Sequence, residues 1–79
     1  MRLDKFLKTS RLIKRRTVAG EACDGGRVTV NGQTAKPARA VKEGDIVEIH
    51  FGERALKVEV LSVAENVRKE QAADMYRVL

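Results

Sequence analysis

Arg2, Lys5, Lys8, Arg11, Lys14, Arg15 and Arg16 place seven cations in the first sixteen residues, opposed by a single acid, Asp4. Guanidinium and ammonium groups donate hydrogen bonds and accept none, so their chemistry is to hold anions. The segment carries net +6, residues 17–42 carry +2 and residues 43–79 carry −3, within +5 for all 79 residues. Charge gathered at one end of a chain marks a face built for a polyanion.

Little else in the chain offers chemistry. One cysteine, Cys23, and one histidine, His50, cannot supply a four-ligand zinc site, so no metal or other cofactor is expected. No serine or cysteine has an evident base partner and no glycine-rich phosphate loop is present, so no catalytic residue is assigned and the chain does not read as an enzyme. His50 alternates with apolar neighbours and reads as a structural or surface residue of a strand, and Cys23 reads as packing. The lone cysteine excludes an internal disulfide and fits a reducing compartment. No run approaches the roughly 18 apolar residues of a membrane span, and the basic N-terminus lacks a signal peptide's apolar core; the expected location is the cytoplasm. The only aromatics are Phe6, Phe51 and Tyr76, two of them expected in the core. That is a poor platform for stacking the bases of a single strand, so structured RNA held by its phosphates and shape is the expected ligand.

The elements that must position these cations follow from periodicity. Leu3, Phe6 and Leu7 form an i, i+3, i+4 apolar stripe, with Arg2, Lys5 and Lys8 off it: a first helix with one buried and one basic face. Leu12 and Ile13 are a short apolar anchor. A second helix is expected over residues 14–24, its packing pairs being Val18 with Ala22 and Ala19 with Cys23. Gly20 inside it suggests close approach of the helices, and Gly25-Gly26 ends it. Lys14, Arg15 and Arg16 at its start oppose the helix macrodipole, an arrangement that stability disfavours and a docked phosphate reverses. Asp4 reads as structural, either pairing with Lys8 four residues on or orienting an arginine.

Residues 27–30 alternate polar and apolar, Asn31-Gly32 is a strong hairpin signal, and residues 33–36 are the return strand, which would bring Lys36 and Arg39 towards the basic face. Two more strands are expected over residues 45–51 and 56–60, turning at Gly52-Glu53, and a short helix near residues 69–76 carries the stripe Ala72, Met75, Tyr76. The fold class is α+β: two N-terminal helices packed on a small antiparallel sheet, then a short C-terminal helix, expected as one domain over residues 1–79.

In order and spacing, R-L-D-K-F-L near the start, K-R-R-T opening the second helix, G-R-V-T-V-N-G and E-G-D-I-V resemble the RNA-binding domain named after small-subunit ribosomal protein S4, an αL-type RNA-binding motif. The resemblance implies that the helix pair and hairpin form a surface for structured RNA, typically ribosomal. M-R-L-D-K-F-L-K-T-S-R-L-I-K-R-R-T and V-N-G-Q-T-A-K are similar to the stand-alone members of bacterial ribosome quality control. The heat-shock members carry a basic C-terminal extension, whereas this chain's second half is acidic. The resemblance implies a monomeric partner of the large ribosomal subunit that contacts large-subunit rRNA and peptidyl-tRNA and supports an RqcH-type factor in adding alanine to the stalled chain. Arg2, Arg15 and Arg16 fall where the family's RNA-contacting bases lie; Lys5, Lys8, Arg11, Lys14 and Lys36 are candidates beside them. Other readings are a ribosome-assembly or heat-shock-type rescue factor, the targeting part of an RNA-modifying enzyme, and a DNA-binding module.

Overall fold

Leu3, Phe6 and Leu7 are completely buried, so α1, Leu3–Thr9, turns toward the core the stripe its sequence marks out. The computed structural model describes residues 1–79. After α1 come α2 (Arg16–Asp24), β1 (Val28–Val30), β2 (Gln33–Thr34), β3 (Ile46–Phe51), β4 (Arg54–Val60), a 3₁₀ helix (Lys69–Met75) and β5 (Tyr76–Val78). The strands form one antiparallel sheet in the order β2-β1-β3-β4-β5.

Register sorts the two faces of the sheet. Val30, Val47 and Val58 lie opposite one another across β1, β3 and β4, all fully buried. One position along, Thr29, Glu48 and Lys57 form the equivalent row on the other face, which meets water. Alternation with period two therefore lays one apolar sheet face against the helices. The core joins that face to Leu3, Phe6 and Leu7 of α1, to Ala19, Ala22 and Cys23 of α2, and to Met75. No buried side-chain polar atom lacks a hydrogen-bond partner.

Several expectations from the sequence shift. The second helix begins at Arg16 rather than at Lys14, because residues 10–14 are spent reversing the chain. Arg11 takes φ 65°, and the Ile13 amide donates to the Leu7 carbonyl at 3.0 Å, tucking Ile13 into the core. Val18 is 44% exposed; the packing face of α2 is Ala19, Ala22 and Cys23. The return strand spans Gln33–Thr34, followed by one more ladder bond from the Ala35 amide to the Val28 carbonyl, shortly before Pro37, which has no N–H to give. The final helix is 3₁₀ and ends at Met75, where Ala72 and Met75 are both buried: a spacing of three returns to one face at three residues per turn. Tyr76 belongs instead to β5, which the sequence reading lacks and which pairs with the outer edge of β4. Of the three aromatics, Phe6 is buried and Tyr76 packs on the core, while Phe51 at the hairpin end of β3 is half exposed. No helix is long and apolar enough to cross a membrane.

Gly20 has no role in close helix packing, since a Cβ built there meets no atom within 4 Å. Gly20→Ala is therefore expected to stabilise the fold by about 1 kcal/mol through helix propensity alone, read as a higher melting temperature. A lower one would mean that α2 packs more tightly than its open surroundings indicate.

Candidate nucleic-acid interface

The N-terminus is held along residues 37–41. The Leu3 amide donates to the Arg39 carbonyl at 2.8 Å, the Asp4 amide to Pro37 at 3.1 Å, and the Val41 amide to Met1 at 2.8 Å. Arg2 bridges Ala40 in an antiparallel pair, so this segment, rather than the hairpin itself, carries Lys36 and Arg39 beside the start of α1. Both side chains are exposed.

Asp4 is the centre of the arrangement. It lies in the first turn of α1, where a carboxylate complements the helix dipole, and its Oδ1 accepts the Lys5 amide at 2.8 Å. Only 6% of the residue is exposed. Arg2 donates to it through Nε at 3.1 Å and Nη2 at 3.3 Å; Arg16 donates from the start of α2 through Nε at 3.5 Å. The pair with Lys8 does not form. Asp4 holds two arginines that lie fourteen residues apart, and both side chains remain about half exposed (53% and 49%). A guanidinium has five N–H donors, so three on Arg2 and four on Arg16 are not taken up by Asp4.

Arg15 is the N-cap of α2 and is exposed; it makes no side-chain cap, and no acid lies in the helix's first turn. The free amides of that turn and the charges of Arg15 and Arg16 therefore share one end of α2, a setting that favours an anion. The remaining candidates lie further along. Lys5 pairs with Glu65 at 3.5 Å, while Lys8, Arg11 and Lys14 line a cleft that Glu65, Asn66, Val67 and Lys69 also line. The eight sequence candidates thus divide: Arg2 and Arg16 meet at Asp4, with Arg15 and Lys36 close to them in the chain or the fold, whereas Lys5, Lys8, Arg11 and Lys14 approach the C-terminal half. Sequence separation gave no sign that Asp4 links Arg2 to Arg16, nor that an acid-rich half would contribute a wall.

The other reactive residues are structural. His50 Nε2 sits 2.9 Å from Glu48 Oε1 on the open sheet face. Cys23 is 1% exposed. Burial first, then the charges of Asp4 and Asp24, push its thiol up to about 11, which leaves it without the thiolate that nucleophilic chemistry needs. No group of three or more His, Cys, Asp or Glu is placed to hold a metal ion.

Two short helices followed by a hairpin, with arginines from the starts of both helices gathered on one buried carboxylate, define an RNA-binding domain of the S4 class, and the S4 domain model matches residues 1–47. Full-length similarity is closer still. The RQC P-site tRNA stabilizing factor of Halalkalibacterium halodurans is 59% identical over 78 residues, covering 99% of this chain and 89% of that protein. The factor of the same name from Bacillus subtilis is 51% identical over 79 residues, covering 100% of this chain and 92% of that protein. The solved trimeric structure of Vibrio cholerae heat shock protein 15 superposes with a TM-score of 0.91 at 31% identity, covering 100% of this chain and 81% of that one. The chain belongs to the family of RQC P-site tRNA stabilizing factors, non-enzymatic proteins built on an S4 RNA-binding domain.

Asp4 makes the role of orientation testable, because charge and geometry predict opposite signs. Asp4→Asn removes a negative charge from the basic face, which by Coulomb attraction alone strengthens RNA binding. It also releases the ion pairs that hold Arg2 and Arg16. We expect the second effect to win, with affinity for structured RNA falling about threefold to tenfold, the scale of one hydrogen bond's net worth. Tighter binding by Asp4→Asn in a fluorescence titration would mean that Asp4 merely dilutes the positive charge.

Proposed function

We propose that this chain binds large-subunit rRNA and peptidyl-tRNA on obstructed large ribosomal subunits in the cytoplasm, and there supports an RqcH-type factor in tailing the stalled chain with alanine. The observation that carries the proposal is the Arg2–Asp4–Arg16 cluster, which presents oriented, half-exposed guanidinium groups within the region that matches the S4 domain. Planar guanidinium forks suit the two-oxygen face of a phosphate, and a cluster held in advance loses less freedom on binding. Stabilisation of a P-site tRNA is the role for which the relatives are named, and it comes to this chain through 51–59% identity over almost its full length. The RNA-binding residues of the proposal are Arg2, Lys5, Lys8, Arg11, Lys14, Arg15, Arg16 and Lys36.

The mode of binding is tested by salt. Each phosphate contact releases counterions, so log K for structured RNA should fall steeply and linearly with log salt. Structured rRNA or tRNA should also bind more tightly than an unstructured strand of equal length, because only Phe51 is exposed for stacking. A flat salt profile, or preference for the single strand, would refute the phosphate-face reading. Co-sedimentation with large subunits carrying peptidyl-tRNA, rather than with precursor particles, separates this role from ribosome assembly. The heat shock protein 15 likeness supports a second reading, rescue of large subunits without tailing. Alanine tails that persist unchanged when this chain is removed would favour it.

A further inference from the structure

The end of α1 with the loop that joins it to α2, and residues 65–67 with the first residue of the 3₁₀ helix, together line a cleft of about 690 Å³. Lys8, Arg11 and Lys14 come from the first side and Lys69 from the second; Val67 is the one hydrophobic lining residue. None of these four cations has an ion-pair partner. Glu65, the one acid of the lining, is already engaged by Lys5 at 3.5 Å. The volume falls within the range of about 300–1,000 Å³ that ligand sites occupy, but the lining is cationic instead of apolar. Four unpaired cations around one hollow repel one another until an anion enters it.

Arg11 adds an independent sign. It stands at φ 65°, in the left-handed region where a Cβ collides with the following carbonyl. Glycine is the residue that stability favours at such a position. Strain of this kind is retained where the side chain serves a site.

We infer that this cleft grips the phosphodiester backbone of an RNA strand, with Lys69 closing on it from the half of the chain that is acidic overall. The inference rests on the RNA-binding reading above, which already gives Lys8, Arg11 and Lys14 to RNA, and adds Lys69 and a second wall to them, toward the opposite end of α1 from the Asp4 cluster. It makes the interface two-sided, with a strand lying between the helix pair and the C-terminal segment.

The experiment titrates a structured large-subunit rRNA hairpin with the full chain and its Arg11→Gly, Lys69→Gln and Arg16→Ala variants over a range of salt, beside thermal melts. Arg11→Gly is expected to raise the melting temperature while weakening binding about threefold to tenfold, a combination that a structural role for Arg11 does not produce. Lys69→Gln should leave the melt unchanged, weaken binding and lower the salt slope by about one. If both cleft variants bind with parental affinity and slope while Arg16→Ala is weakened, the cleft is solvated surface and the inference falls; Arg11 then leaves the interface, and the RNA-binding reading stands on the Asp4 cluster. If none of the three is weakened, both fall. Capture of an acidic peptide that depends on Lys69, with no loss of RNA affinity in Lys69→Gln, would overturn the RNA assignment in favour of a protein.

Discussion

Arg16→Ala is expected to weaken association with the large ribosomal subunit about tenfold to a hundredfold and to reduce alanine tailing accordingly, with almost no change in folding. Hydrogen bonds to charged groups contribute about 1.5–3 kcal/mol, and each 1.4 kcal/mol is a factor of ten in affinity. Two small effects on stability oppose each other. Removing a cation from the start of α2 relieves about 0.3–1 kcal/mol of unfavourable dipole interaction. Losing the 3.5 Å contact with Asp4 costs about 0–1 kcal/mol, because the Arg16 side chain is half exposed and Arg2 still satisfies the carboxylate. Arg16→Lys should restore binding only in part, since an ammonium lacks the planar fork. Arg54→Ala is the control, an exposed residue at the start of β4 in the acidic half. Melting temperature, sedimentation with large subunits and tail formation are compared across the variants. Parental sedimentation and tailing by Arg16→Ala would show the N-terminal basic face to be solvated surface and nothing more.

Asn31→Ala is expected to produce the largest loss of stability of any exposed residue considered. Asn31 and Gly32 hold φ 52° and 83°, as a two-residue turn between Val30 and Gln33 requires. The side chain does more than tolerate that conformation. Its Oδ1 accepts the Ile46 amide at 2.9 Å, and its Nδ2 donates to Asp45 Oδ1 at 3.2 Å. Asp45 is 5% exposed and also accepts the Lys42 amide at 3.0 Å, so Asn31 ties the first hairpin to the start of β3 through a buried carboxylate. Alanine incurs about 1–2 kcal/mol for the left-handed backbone and about 1–3 kcal/mol for leaving Asp45 and Ile46 short of a partner. A total of about 2–5 kcal/mol lowers the melting temperature of a chain this size by at least roughly 8 °C. Asn31→Gly should recover the backbone part alone. Well below the transition, the affinity of Asn31→Ala for RNA should match the parent's. A variant with parental stability and lost binding would place Asn31 in the interface instead.

The amino-acid sequence by itself determined where the charge sits, which positions of α1 face inward, where the first hairpin turns, and the α+β class with its helices first. These are short-range properties: apolar spacing of three and four, alternation of two, and the positive φ that Asn-Gly accepts all act within a few residues. It also carried the family, because the order of the basic, hairpin and E-G-D-I-V segments is itself a linear pattern. The tertiary structure alone decided which charges meet. Asp4 has Lys8 at the helical spacing of four and Arg2 and Lys5 beside it in the chain, and nothing local chooses Arg2 and Arg16 over Lys8; the packing of α2 on α1 and of residues 37–41 on the N-terminus makes the choice. The fifth strand was hidden for the same reason, since Tyr76, Arg77 and Val78 become a strand only because the edge of β4 offers them a ladder. Arg11 and Lys69, 58 residues apart, share a cleft only after the sheet has carried the chain back past α1, a distance over which no local pattern speaks.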